Sequence, residues 1–140
     1  MDNYTSTSTI DNGVQLGAKK IEIEPSQSTP KVILDYQQKV LTIRGRSSPE
    51  STQNFYSRVY EMLDDYFQTQ STELTFNMEL VYFNTSSGKC LFDVFRQLSS
   101  RKDNMTIHVN WHYEEDDDDM LETGEDFADA SGLPFKFVTL

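Results

Sequence analysis

Apolar side chains occupy every second position from residue 74 to residue 82, and this pattern constrains the fold more than any other feature of the chain. The apolar positions are Leu74, Phe76, Met78, Leu80 and Tyr82. Successive side chains of a β-strand point to opposite faces, so a period of two predicts a strand with one buried face. The polar residues between them indicate that the other face of the sheet meets water.

The same pattern predicts further strands elsewhere in the chain. Alternate apolar residues run from Met105 to Trp111, and shorter apolar runs predict strands at 20–24, 31–36, 39–44 and 135–138. The strands at 31–36 and 39–44 are close enough in sequence to form a hairpin through the pair at 37–38.

Three segments have the spacing of helices, in which apolar residues recur every three or four positions. The first is predicted to start with Ser48 as cap, Pro49 at the first helical position and Glu50 near the positive end of the helix dipole, and to reach about Phe67. The second lies around 91–98, and a short third helix is predicted within 120–128. One-sided strands that alternate with helices predict an α/β fold with a single mixed sheet and helices mainly on one face.

The length of 140 residues fits one domain. We predict a flexible N-terminal extension at 1–18, which is rich in Ser, Thr, Asn and Gly, and a single domain at 19–140. The one cysteine, Cys90, cannot form an intramolecular disulfide. No apolar run has the length of a membrane helix and residues 1–10 lack a signal core, so we expect a cytoplasmic protein.

The negative charge is concentrated in one segment. The formal net charge is -11, and ten acidic residues with no Lys or Arg lie between residues 114 and 129, which leaves -1 for the rest of the chain. Phosphate contacts and anionic lipids both require a basic surface, so we expect neither nucleic acid nor a membrane as a partner. The acidic segment is interpreted as a solvated loop that leads into a helix. An alternative is that it serves a small-molecule or metal-binding enzyme.

The segment Asn84-Thr85-Ser86-Ser87-Gly88-Lys89 lies between the strongest strand and the second helix. It is not a P-loop, because Phe83 replaces the first glycine and Cys90 replaces the hydroxyl residue after the lysine. Thr85 or Ser86 could cap the helix. A helix N-terminus also tolerates an anion, so a phosphate attached to one of these hydroxyls is a second interpretation.

No constellation of catalytic or metal-ligating residues stands out. His108 and His112 share a strand face but lie four residues apart, too far to chelate one ion. The acidic run does not match an EF-hand loop, and no serine or cysteine is paired in sequence with a base and an orienting group. We therefore predict no enzyme activity, no catalytic residue, no metal and no cofactor.

Six segments form a pattern when they are taken together in order and spacing. They are Ser28-Thr29-Pro30, Gly45-Arg46-Ser47-Ser48-Pro49-Glu50, Tyr82-Phe83-Asn84-Thr85-Ser86-Ser87-Gly88-Lys89, Trp111-His112-Tyr113, Leu121-Glu122-Thr123-Gly124-Glu125 and Pro134-Phe135. With these segments the chain resembles the SiaC family of bacterial partner-switching regulators, over roughly residues 21–140.

This resemblance implies a fold similar to anti-sigma-factor antagonist (STAS-like) domains and a role in signalling. It further implies that members of the family are phosphorylated by a Ser/Thr kinase and restored by a PP2C-type phosphatase. An unmodified member can activate a diguanylate cyclase, which links the family to cyclic-di-GMP and biofilm formation. The phosphorylated threonine of the family falls on Thr85. Asn84, Ser86, Ser87 and Lys89 are then expected to form the partner-binding surface around it.

Overall fold

The computed structural model describes residues 4–6 and 19–140, with residues 4–6 described by their backbone. Within these ranges the chain forms seven strands and three helices. In chain order they are β1 (Tyr4–Ser6), β2 (Lys20–Ile23), β3 (Lys31–Asp35), β4 (Val40–Ser47), α1 (Thr52–Phe67), β5 (Glu73–Phe83), α2 (Thr85–Ser99), β6 (Thr106–Tyr113), α3 (Asp118–Ser131) and β7 (Phe135–Thr139).

The strands form one mixed sheet in which the spatial order equals the chain order, β1 to β7. Strands β1 to β4 are antiparallel, whereas β4, β5, β6 and β7 are mutually parallel. Parallel neighbours are joined by right-handed crossovers, and successive crossovers in one direction place their helices on the same face. The predicted α/β fold with a single mixed sheet and helices on one face is confirmed.

The core lies between that face of the sheet and the helices. Trp111 of β6 and Phe95 of α2 are fully or almost fully buried, and Phe127 and Phe135 pack beside them. Ring centroids of Phe95 are 5.0 Å from Phe127 and 5.3 Å from Phe135. Burial of each large apolar side chain contributes about 1.5–3 kcal/mol, so this aromatic cluster holds α2 and α3 on the sheet.

The opposite face of the sheet is polar, as the alternation predicted. The Nε of Arg44 lies 3.0 Å from Glu79 Oε1, and the Nδ2 of Asn110 donates to Asn77 Oδ1 at 2.8 Å. His112 approaches Glu79 at 4.0 Å. These pairs cross between neighbouring strands, where opposite charges and amides stabilise the register.

The predicted start of α1 is wrong. The helix begins at Thr52 after Ser51, and the Ser51 side chain makes no capping hydrogen bond. Ser48 does not cap it, because it lies four residues before the first helical residue, directly after the end of β4 at Ser47, and its N–H donates to the Ser28 carbonyl at 2.8 Å. The third helix, α3, is longer than predicted, since its 14 residues continue to Ser131.

Part of the predicted N-terminal extension pairs with the sheet. The backbone of β1 forms an antiparallel ladder with β2, in which Tyr4 is opposite Ile23. Residues 1–3 and 7–18 lie outside the described residues, so the flexibility predicted for 1–18 stays a prediction.

Candidate functional site

Three helices begin at one edge of the sheet. The parallel strands β4, β5 and β6 end at this edge, and each leads directly into a helix, at Thr52, Thr85 and Asp118. The carboxyl ends of parallel strands are where α/β folds usually bind their ligands and partners. Because β5 lies between β4 and β6, the start of α2 occupies the middle of the edge.

Asn84 caps α2. Its backbone is extended, with φ -81° and ψ 175°, and its side-chain oxygen accepts a hydrogen bond from the Ser87 N–H at 2.8 Å. The Gly88 N–H donates to the Asn84 carbonyl at 2.9 Å, which closes the first turn. The interpretation of Thr85 or Ser86 as the cap is therefore wrong, because Thr85 is the first helical residue.

The predicted site residues differ in their access to solvent. Thr85, Ser86 and Lys89 are exposed, and Asn84 is partly buried. Ser87 is fully buried, with 0% of its surface exposed. The expectation that Ser87 belongs to the contact surface does not fit its position, because its side chain points into the protein and supports the turn from beneath.

The buried side of this turn is held by hydroxyl groups. Ser87 Oγ lies 2.8 Å from Ser47 Oγ and donates to the Ser47 carbonyl at 3.0 Å. Ser47 Oγ in turn lies 2.7 Å from the hydroxyl of Tyr56 on α1. The Asn84 N–H also donates to the Ser47 carbonyl, at 3.0 Å. The end of β4 and the second turn of α1 are thus tied to the first turn of α2.

An apolar surface lies beside Thr85. Val81 and Tyr82, at the end of β5, are each 42% exposed, although both are large hydrophobic residues. The guanidinium carbon of Arg46 lies 4.7 Å from the centre of the Tyr82 ring. A groove separates these residues from Asp119 and Met120 of α3. Sequence reasoning assigned Tyr82 to the buried face of its strand and missed this surface.

The acidic segment has a structural component that the sequence analysis did not identify. Asp117 caps α3, because its Oδ1 accepts a hydrogen bond from the Met120 N–H at 3.0 Å. Asp118 and Asp119 lie in the first turn of the same helix, where the dipole favours negative charge. The prediction of an acidic loop leading into a helix fits this arrangement.

The other residues tested for chemistry do not converge on a site. In the described part of the chain, no three His, Cys, Asp or Glu side chains are grouped so that they could hold a metal ion. His108 is exposed, whereas His112 lies beside Glu79 on the polar face. Cys90 is buried, and its Sγ lies 3.9 Å from Gln53 Oε1.

Among residues 4–6 and 19–140, no helix is both long enough and apolar enough to cross a membrane.

Comparisons with known proteins point to one family. The model of the family described as "SiaC family regulatory phosphoprotein" matches residues 23–140. An uncharacterized protein of Pseudomonas aeruginosa (strain UCBPP-PA14) is 27% identical over 116 residues, which cover 82% of this chain and 92% of that protein.

Solved structures give the same result. Apo-SiaC from Pseudomonas aeruginosa is similar with a TM-score of 0.78 and 26% identity, over 85% of this chain and 98% of that chain. SiaC in complex with the diguanylate cyclase SiaD, which that structure describes as activated by SiaC, matches with a TM-score of 0.80, 26% identity and the same coverage.

Proposed function

The chain belongs to the SiaC family of regulatory phosphoproteins, and we propose that reversible phosphorylation of Thr85 switches its binding to a partner protein. It is a signalling regulator and not an enzyme. In this proposal a Ser/Thr kinase adds the phosphate and a PP2C-type phosphatase removes it.

The observation that carries the proposal is the position of Thr85. It is exposed, it is the first residue of α2, and it lies at the middle of the edge where three helices begin. A phosphate there would carry about -1.5 to -2 charges at neutral pH. The free N–H groups and the dipole at a helix N-terminus stabilise such a charge, so the modified chain can keep its fold.

The effect of the phosphate is then local. Val81 and Tyr82 form an exposed apolar surface next to Thr85, and Lys89 lies one turn further along α2. A dianion beside an apolar contact surface opposes docking through desolvation and added bulk. We therefore expect the unmodified chain to bind its effector and the phosphorylated chain to lose it.

We infer the class of the effector protein from a relative of this chain. SiaC of Pseudomonas aeruginosa is the activator of the diguanylate cyclase SiaD in their complex. We propose that this chain likewise binds and activates a diguanylate cyclase in the cytoplasm, and thereby links the switch to cyclic-di-GMP and biofilm formation.

The modification is tested by mass spectrometry. The purified chain is incubated with magnesium, ATP and a Ser/Thr kinase from the same organism, and we expect a single phosphate on Thr85. The variant Thr85→Ala should take up none, while Ser86→Ala, which changes the exposed neighbour, should be modified as the wild type is. Phosphate found only at other residues would overturn the assignment.

The effector is tested separately. A diguanylate cyclase from the same organism is titrated with the unmodified chain and with the chain phosphorylated at Thr85, and cyclic-di-GMP production is measured. Activation by the unmodified chain alone is the expected result. Equal activation by both forms would contradict the proposed switch, and activation by neither would contradict the effector class.

A further inference from the structure

A chain of three buried hydroxyl groups connects α1, β4 and α2. The side chains of Tyr56, Ser47 and Ser87 are all 0% exposed. The hydroxyl oxygens of Tyr56 and Ser47 are 2.7 Å apart, and those of Ser47 and Ser87 are 2.8 Å apart. Ser47 and Ser87 are 40 residues apart in sequence, so only the fold brings them together.

One hydrogen bond determines which hydroxyl donates and which accepts in each pair of this hydroxyl chain. Ser87 Oγ lies 3.0 Å from the Ser47 carbonyl, and a carbonyl only accepts, so the single Ser87 hydroxyl proton is donated there. Ser87 must therefore accept from Ser47, and Ser47 must accept from Tyr56. Each hydroxyl donates once, and Ser47 and Ser87 also accept once within the chain.

Burial favours the protonation state that this chain needs. Removal from water raises the pKa of the Tyr56 hydroxyl to about 12. Tyr56 is therefore a proton donor throughout the neutral range. Loss of one hydroxyl leaves its neighbour in the interior with one hydrogen bond fewer, and a buried hydrogen bond left unmade costs more than the bond itself contributes.

The buried hydroxyl chain fixes how the first turn of α2 is rotated about the helix axis. An α-helix turns by about 100° per residue, so Thr85 lies about 200° from Ser87 around the axis. With Ser87 held inward by Ser47, Thr85 must face outward. The Asn84 side chain, which accepts from the Ser87 N–H at 2.8 Å, holds the same residue from the backbone side.

We propose that the buried hydroxyl chain Tyr56–Ser47–Ser87 is a specificity determinant, which favours Thr85 over Ser87 as the phosphate acceptor. It withholds Ser87 from the kinase and keeps the turn ordered so that Thr85 is presented in one orientation. These three are positioning residues, and their role rests on the proposed phosphorylation of Thr85.

Two variants test this inference, and a third is the matched control. Tyr56→Phe removes only the first hydroxyl, and Ser47→Ala removes the middle one. Tyr66→Phe is the control, because Tyr66 is also buried, also lies on α1, and donates its hydroxyl to the Glu73 carbonyl at 2.6 Å, away from α2. Should Ser47→Ala fail to fold, Tyr56→Phe, which keeps the ring in the core, carries the test.

The first measurement needs no kinase. Amide hydrogen exchange at Ser87 and Gly88 should become about fivefold faster or more in Tyr56→Phe and Ser47→Ala, because a lost buried hydrogen bond changes the opening equilibrium by about that factor. Exchange at these two amides should keep its wild-type rate in Tyr66→Phe. Unchanged exchange in both test variants would overturn the inference.

The second measurement is the distribution of phosphate after incubation with the kinase and ATP. The wild type and Tyr66→Phe should carry phosphate on Thr85 alone. In Tyr56→Phe and Ser47→Ala we expect slower modification of Thr85 and new phosphate on Ser87. A wild-type distribution and rate in both would overturn the specificity role.

Failure of the two proposals can be told apart. A wild-type chain that is not phosphorylated on Thr85 would contradict the proposed function, and with it the specificity role. The exchange measurement would in that case still decide whether the hydroxyl chain orders the turn. If Thr85 is phosphorylated in the wild type, and Tyr56→Phe and Ser47→Ala both show the wild-type exchange rates and phosphate distribution, only the inference is contradicted.

Discussion

Gly124 of α3 lies against the indole ring of Trp111. A Cβ at Gly124 would be 2.6 Å from both Cε2 and Nε1 of that ring, which is closer than carbon atoms approach one another in proteins. One turn earlier in the helix, the Met120 carbonyl accepts a hydrogen bond from Trp111 Nε1 at 3.0 Å. Glycine therefore permits the close approach of α3 to β6 that this hydrogen bond requires.

The variant Gly124→Ala should be less stable than the wild type. Alanine favours a helix over glycine by about 1 kcal/mol, but Trp111 is fully buried among other rings and cannot move aside. Overpacking of this kind costs about 1–3 kcal/mol, so after the gain in helix propensity we expect a net loss of up to about 2 kcal/mol in urea unfolding. Gly88→Ala is the control. A Cβ there would approach the Phe83 ring only to 3.3 Å, so we expect the stability of this variant to be nearly unchanged. Equal losses of stability in the two variants would contradict the role of Trp111.

The variant Asp117→Ala should destabilise the protein by about 1 kcal/mol, the usual cost of losing an N-cap. The Asp117 carboxylate accepts from the Met120 N–H at 3.0 Å, and no other residue of 19–140 bonds to that N–H through its side chain. Asp116→Ala removes an equal charge from the neighbouring position outside the helix, and we expect a change below about 0.5 kcal/mol. Thermal unfolding of both variants distinguishes capping from a general effect of charge.

The variant Asp65→Asn should alter the pH dependence of stability. A hydrogen bond from the Tyr36 hydroxyl and the Lys19 ammonium at 3.0 Å lower the pKa of Asp65 from its ordinary 3.8. Because the folded-state pKa is the lower one, the carboxylate stabilises the fold above the unfolded-state pKa, and this contribution is lost as the pH falls through the folded-state pKa.

Asp65 is 54% exposed, so we expect its contribution to be below about 1 kcal/mol. The difference in unfolding free energy between wild type and Asp65→Asn should be present at pH 7 and should shrink below the ordinary pKa of 3.8. Asp103→Asn changes an exposed carboxylate after α2 and should show no such trend. A difference that stays constant from pH 7 to pH 2 would contradict the assignment.

Substitutions of Thr85 should separate folding from partner binding. Thr85→Ala changes an exposed residue, so the fold should keep its stability within about 0.5 kcal/mol and the chain should bind the cyclase constitutively. Thr85→Glu places a negative charge at the same position and should weaken cyclase binding at least about tenfold if charge alone opposes docking. Isothermal titration against the cyclase measures both, and Ser86→Glu tests whether the position matters. Binding by Thr85→Glu at the wild-type affinity would contradict the role of charge.

Local patterns predicted most of the fold. The alternation from Leu74 to Tyr82 predicted β5 and its two unlike faces, because the period of a strand is visible in any segment that has one buried face. The same reasoning missed the start of α1. The residue pair Ser48 and Pro49 has a typical helix-start sequence, but Ser48 is bound through its N–H to Ser28 at the end of the sheet and the helix begins only at Thr52, which a local pattern cannot show.

The structure places Thr85 at a junction of strand and helix, as the sequence predicted, whereas the role that the family resemblance gives it stays a prediction. Three adjacent hydroxyl residues, however, have the same local chemistry. Sequence reasoning placed Ser87 on the contact surface, whereas Ser47 and Tyr56 hold it in the interior.

The sequence by itself determined the elements, the polar face of the sheet and the exposed position that follows β5, since each depends on neighbours within one turn or one strand. The tertiary structure decided which of the hydroxyls faces solvent and how closely α3 approaches the sheet. Both depend on partners from distant segments, Ser47 for Ser87 and Trp111 for Gly124. Hydrogen bonding and close packing act between atoms that only the folded chain brings together.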